Sequence, residues 1–193
     1  MEDGTEYKVY DDNFNLVETK TVQYHAVAPT VASSGYIVLP ASVFVGLATV
    51  QALYITLPAA SEAQIGVTEL HFGSVGYYTQ ESPNLAQDMT VLTDFSTWTE
   101  AWFSGRITDA NGVQVDIVGK ETVEETPTEA RQSQIDGIAL TQKGATGGGV
   151  MLEQHALSTL DLSAATYLAI RYYNPTGAAW PFYFIAQQNG GFL

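Results

Sequence analysis

Tyr167-Leu168-Ala169-Ile170-Arg171-Tyr172-Tyr173 puts Leu168, Ile170 and Tyr172 on one side of an extended chain and Arg171 on the other. Successive side chains of a strand point to opposite faces of a sheet, so this stretch reads as a half-buried antiparallel strand. Asn174-Pro175-Thr176-Gly177 then turns the chain. Upstream, Thr49 to Leu57 sets Leu53, Ile55 and Leu57 against Tyr54 and Thr56 before Pro58 closes the run. In Val67 to Gly73, Leu70 and Phe72 oppose Val67, Glu69 and His71, which predicts a wet side carrying His71. Lys20 to Val27, Tyr36 to Leu39, Met89 to Phe95, Trp98 to Ile107, Val113 to Ile117, Val150 to His155 and Pro181 to Gln187 extend the series. Between the fourth and fifth of these, Asp109-Ala110-Asn111-Gly112 predicts a tight hairpin, because Asn and Gly both tolerate positive φ.

The expected fold class is therefore all-β: a single jelly roll or β-sandwich of about eight to ten antiparallel strands. Helix is minor, with short turns expected at Ser42 to Val50 and at Ser82 to Met89, where Pro83 suits a first helical position. Residues 1–19 read as a polar, acidic N-terminal leader, and residues 20–193 as one sandwich domain. Within that domain, residues 119–149 read as a long excursion, acidic at first and glycine-rich at its end, and partly mobile. No internal repeat or heptad pattern points to a solenoid or coiled coil.

Seven Lys and Arg stand against twenty-one Asp and Glu, for a net charge of -14. The basic residues Lys8, Lys20, Arg106, Lys120, Arg131, Lys143 and Arg171 are scattered, which argues against direct nucleic-acid binding. Such charge repels itself in dilute buffer but is screened in strong salt, where it favours solubility; a saline habitat and an ordinary cytoplasm both accommodate it. The chain has no Cys, so disulfides and thiolate metal sites are excluded. Met1-Glu2-Asp3-Gly4-Thr5-Glu6 lacks the basic start and apolar run of a secretory signal peptide. The longest apolar-rich stretch, Tyr36 to Ala60, is interrupted by Pro40, Ser42, Gln51 and Pro58, so no membrane span is expected.

Motifs that carry chemistry are missing. There is no Gly-x-Ser-x-Gly, no His-Glu-x-x-His and no Gly-x-x-x-x-Gly-Lys, and Gly147-Gly148-Gly149 reads as a flexible tether. His25, His71 and His155 would make a three-His zinc site only if strands converged them; isolated strand histidines are more often surface or satisfied groups. Glu69 and His71 share a strand face and suit a modest pair. Asp94, Glu100, Asp109 and Asp116 near Trp98 and Trp102 would suit a sugar-cleaving site, or else form a solvated face over core aromatics such as Trp98 and Phe103. Asp11-Asp12-Asn13 and Asp109 to Gly112 resemble calcium loops but lack EF-hand spacing, which favours turns. No cofactor or metal is expected, and the chain reads as a non-enzyme.

The single all-β unit, its acidity and the aromatic C-terminal run Trp180-Pro181-Phe182-Tyr183-Phe184-Ile185 to Phe192-Leu193 suit a protein that grips neighbours. In length, acidity and strand pattern the chain resembles the single jelly-roll capsid proteins of tailless icosahedral viruses with an internal membrane, which infect halophilic archaea or thermophilic bacteria. The resemblance implies a virion shell protein made in the host cytoplasm. It also implies a barrel standing upright on the capsid, paired with itself or a related subunit in hexameric capsomers. No functional residue carries over from it. Trp180, Phe182, Phe184, Phe192 and Leu193 are the expected subunit contacts. The alternative is a carbohydrate-binding module or adhesin, with Tyr77, Tyr78, Trp98, Trp102 and Trp180 as its stacking platform. The third reading is a glycoside hydrolase.

Overall fold

The computed structural model describes residues 1–30, 34–44, 47–50, 52–58, 69–93, 107–108, 113–118, 128–132, 135, 137–142, 148–154, 161–176, 178–188 and 191–192. Fourteen strands occur among them: β1 (Glu6–Asp11), β2 (Leu16–Thr21), β3 (Ser34–Pro40), β4 (Ala52–Leu57), β5 (Glu69–Tyr78), β6 (Thr90–Thr93), β7 (Ile107–Thr108), β8 (Val113–Val118), β9 (Thr128–Gln132), β10 (Ile138–Gln142), β11 (Gly148–Gln154), β12 (Tyr167–Tyr173), β13 (Tyr183–Gln188) and β14 (Gly191–Phe192). Helix is limited to two 3-10 turns, Ala41–Val43 and Leu47–Thr49. The fold is the all-β sandwich that alternation predicts, built from two antiparallel sheets.

One sheet runs β2-β1-β3-β12-β5-β10-β9, with β6 also paired to β5; the other runs β14-β13-β4-β11-β8-β7. Three antiparallel pairs are nested: β3 with β12, β4 with β11, and β5 with β10. Successive pairs alternate between the sheets, as in a long two-stranded ribbon rolled around a core. β1, β2 and β9 widen the first sheet, while β13 and β14 widen the second.

β12 obeys its pattern, with Leu168, Ile170 and Tyr172 buried in the core and Arg171 on the outer face. Beside it, Ile170 pairs with Val75 but Tyr172 pairs with Phe72, so β5 carries one extra residue, a bulge at Gly73-Ser74. The bulge changes phase: Leu70 and Phe72 face inward before it, and Val75 faces inward after it. Between the sheets, the ring centroids of Phe72 and Phe182 lie 4.8 Å apart at 69°, and those of Phe44 and Phe184 5.6 Å apart at 90°. These edge-on contacts close the core.

Several expectations are corrected. The polar leader contains β1 and most of β2, and Tyr7 and Val9 are core residues. Alternation is visible there, but the charged partners Glu6 and Lys8 mask it. The excursion at 119–149 supplies β9 and β10, with Ile138 and Leu140 buried, and Gly148-Gly149 open β11 rather than forming a tether. Ser82 to Met89 forms no helix. Instead the Asp88 carboxylate accepts the Asn84 N–H, and the Asn84 side-chain oxygen accepts the Ala86 N–H, fixing an irregular turn. The Asp109 to Gly112 turn lies outside the described residues, while its flanks pair, Ile107 with Val115 and Thr108 with Gln114.

Candidate functional site

Outward side chains follow from the inward ones. Tyr10, Val38, Tyr78, Tyr167 and Ala169 stand on the outer face of the first sheet, and Leu85 and Met89 fold over them as a satellite apolar cluster. The Tyr78 hydroxyl donates to the Leu85 carbonyl at 2.7 Å, which ties that cover to the sheet. Burial first, then nearby Tyr36 and Asp88, pushes the Tyr78 phenol up to about 12. Next to the cover lies an open groove of about 440 Å³, floored by Tyr10, Val38, Pro40, Leu85 and Tyr167 and flanked by Glu6, Lys8 and Glu81.

A second groove, of about 460 Å³, lies at the β2 margin. Tyr7, Ala26, Ala28, Ala179 and Pro181 give it an apolar floor, and Lys20, Thr21 and Gln23 edge it. Tyr24 stands on its rim. The Gln23 N–H donates to the Ala26 carbonyl and the Ala26 N–H returns the bond to Gln23, closing a two-residue hairpin loop. Its two loop residues, Tyr24 and His25, have φ of 52° and 60°. Such values suit Asn and Gly, occur more readily for His than for most side chains, and are strained for an aromatic such as Tyr24. His25 is anchored: its N–H donates to the Asp3 carboxylate at 2.6 Å, and its Nδ1 lies 2.7 Å from the Met1 carbonyl oxygen. Tyr24 is left projecting, 84% exposed.

The C-terminal aromatics divide. Phe182 and Phe184, expected at subunit contacts, are both 0% exposed within the core and so are closed to a neighbouring molecule. Trp180 is half-buried, and its Nε1–H donates to the Thr176 hydroxyl at 2.8 Å. That hydroxyl donates in turn to the buried Asn174 side chain. Phe192 belongs to β14, and Leu193 lies outside the described residues. The proposed sugar platform also changes. Tyr78 is sealed in and Tyr77 packs on the core, while Trp98, Trp102, Phe103, Asp94, Glu100 and Asp109 lie outside the described residues.

His71 is 2% exposed rather than on a wet side. Its Nε2 lies 2.6 Å from one Glu69 oxygen, and the other oxygen accepts the Thr141 hydroxyl at 3.1 Å, so the pair links β5 to β10. Tyr173 meets the imidazole edge-on at 5.2 Å. His25 is held at the hairpin, and His155 lies outside the described residues; among the described residues no cluster could hold a metal. Asp11 serves a turn. Its carboxylate accepts the Asn15 side-chain amide and the backbone N–H groups of Asn15 and Asn13, which hold its pKa below the usual range. Asp12 pairs with Arg171 at 3.7 Å.

The sequence reading missed Tyr10, Tyr167 and the Tyr24-His25 hairpin. Parity against Val9 and Leu168 would have marked the first two as outward. The third carries no glycine or asparagine to betray a turn. Comparison with protein families, with curated proteins and with solved structures finds no match. The class that the fold defines is a two-sheet, all-β sandwich.

Proposed function

We propose that this chain is a shell-forming structural protein, a capsid subunit that assembles with itself or with a related subunit in a virion. The observation that carries the reading is the nested pairing of β3 with β12, β4 with β11 and β5 with β10, a ribbon-like pairing of the kind jelly-roll capsid domains use, as lectins and cupins also do. The margin adds an exposed, rigidly held Tyr24, the kind of anchor that carries contact energy between proteins. A saline setting is part of the proposal, because strong salt reduces the reach of charge to ~3 Å and lets subunits of net charge -14 approach one another. Sedimentation velocity and electron microscopy of purified protein across salt concentrations test it. Closed oligomers forming in molar salt are expected. A monomer at every salt and protein concentration overturns it.

The outer-face groove supports a second reading, a carbohydrate-binding module. Tyr10 and Tyr167 offer rings for stacking, and Glu6 and Glu81 offer acceptors for sugar hydroxyls. Glycan binding that is lost in Tyr10→Ala or Tyr167→Ala would favour it. Absence of binding across a broad glycan panel removes it.

A further inference from the structure

Among the described residues, Leu16, Val17, Tyr24 and Val91 are the exposed large apolar side chains, and three of the four lie within nine residues at one margin. The simplest use of that margin, adding a strand of another molecule to β2, is opposed by the strand itself. Val17 is an extra residue, because Val9 pairs with Glu18 and Tyr10 with Leu16. Glu18 and Lys20 stand opposite the buried Val9 and Tyr7 and so point towards the core side. A bulge and inward charges are devices that keep sheet edges from pairing.

The hairpin beyond β2 remains. Its backbone strain is sustained by the grip on His25, and what that grip achieves is to fix an aromatic ring in solvent beside a groove. The groove is lined by Tyr7, Lys20, Ala28, Ala179 and Pro181, and the Glu18 carboxylate at its edge is paired with the Lys20 ammonium at 3.6 Å, so its local charge is balanced although the chain has twenty-one acids. It is therefore a place where two acidic copies approach without direct repulsion. A projecting ring next to a hollow is a self-complementary patch of the kind a twofold axis uses, since each copy then offers both halves of the contact.

We propose that two copies of this chain pair about a twofold axis by exchanging Tyr24, each ring entering the groove of the other over Pro181, Ala28 and Ala179. The hydroxyl then comes within reach of the other copy's Lys20. This deepens the proposed function and rests on it, naming the second copy as the occupant of that groove.

The test uses Tyr24→Asn, which removes the ring, and Ala179→Trp, which fills the hollow, with sedimentation velocity in molar salt. Asparagine suits the left-handed backbone at residue 24, so Tyr24→Asn should melt no lower than the parent, and lost association is then not lost folding. Each variant alone should pair about 1000-fold more weakly, about 30-fold for each of two anchors. An equimolar mixture should recover heterodimers of intermediate strength, because one intact ring meets one intact groove. A parent that assembles while both variants assemble equally well overturns the exchange alone. A parent that stays monomeric throughout overturns the shell function as well.

Discussion

Tyr24 and Phe182 are both large aromatics, yet their energetic roles are opposite. Tyr24 costs the fold stability through its positive φ while burying little of its ring, so Tyr24→Asn should raise stability by about 1 kcal/mol, read as a higher thermal midpoint. Phe182 meets Phe72 in the core, so Phe182→Ala should destabilise the isolated subunit by about 3–5 kcal/mol in denaturant unfolding, even where no assembly occurs. Ionisation separates residues in the same way. Burial, the first cause, holds the Tyr7 phenol near 12, with Glu18 adding to the shift and the Ala28 N–H that donates to its oxygen opposing it. Tyr78 is likewise held near 12. A folded value above the ordinary 10.0 means that the neutral phenols favour the fold fully below pH 10 and lose that contribution as pH climbs towards 12. Alkaline titration followed by tyrosinate absorbance and circular dichroism should show these phenols ionising together with loss of structure; ionisation in a protein still folded would contradict the burial.

At the scale of the element, strand positions were legible wherever one face was clearly apolar. β12 and β4 fall where Leu168, Ile170, Ile55 and Leu57 place them. Reading failed where both faces carry burial or where the chain changes phase. His71 looks wet because it alternates with Leu70 and Phe72, but the outer face is itself covered there, and the Gly73-Ser74 bulge resets the alternation two residues later. A different covering hid the tyrosine-floored groove, since nothing local in the sequence announces that Leu85 and Met89 fold back over Tyr78 and Val38. Three glycines show what close strand contact demands. A Cβ on Gly35 would run into the Tyr10 carbonyl oxygen, and one on Gly137 into that of Phe72, whereas one on Gly73 meets only the Arg171 side chain at 3.1 Å. Gly35→Ala and Gly137→Ala should each cost about 1–3 kcal/mol, as backbones must part, while Gly73→Ala should be milder because methylenes rotate aside. Urea midpoints of the three variants check that order.

For the whole molecule, period-two alternation tells which face a side chain takes but not which strand lies alongside, so the all-β class was legible and the nested pairing was not. Charge acts at this scale too. With seven basic groups against twenty-one acidic ones, repulsion opposes compaction, and the thermal midpoint should climb as sodium chloride is raised from millimolar to molar. An unchanged midpoint would place the acids too far apart to matter. The position of β12 between β3 and β5 has a consequence for the chain during its manufacture. A ribosome delivers β3 and β5 long before Tyr167–Tyr173, so the first sheet stays split, with two facing edges, through nearly half of translation. Closure by so distant a segment makes for a high contact order and late, slow folding. The nascent polypeptide is thereby exposed to chaperones and to premature pairing with other nascent copies until the last wedge is released.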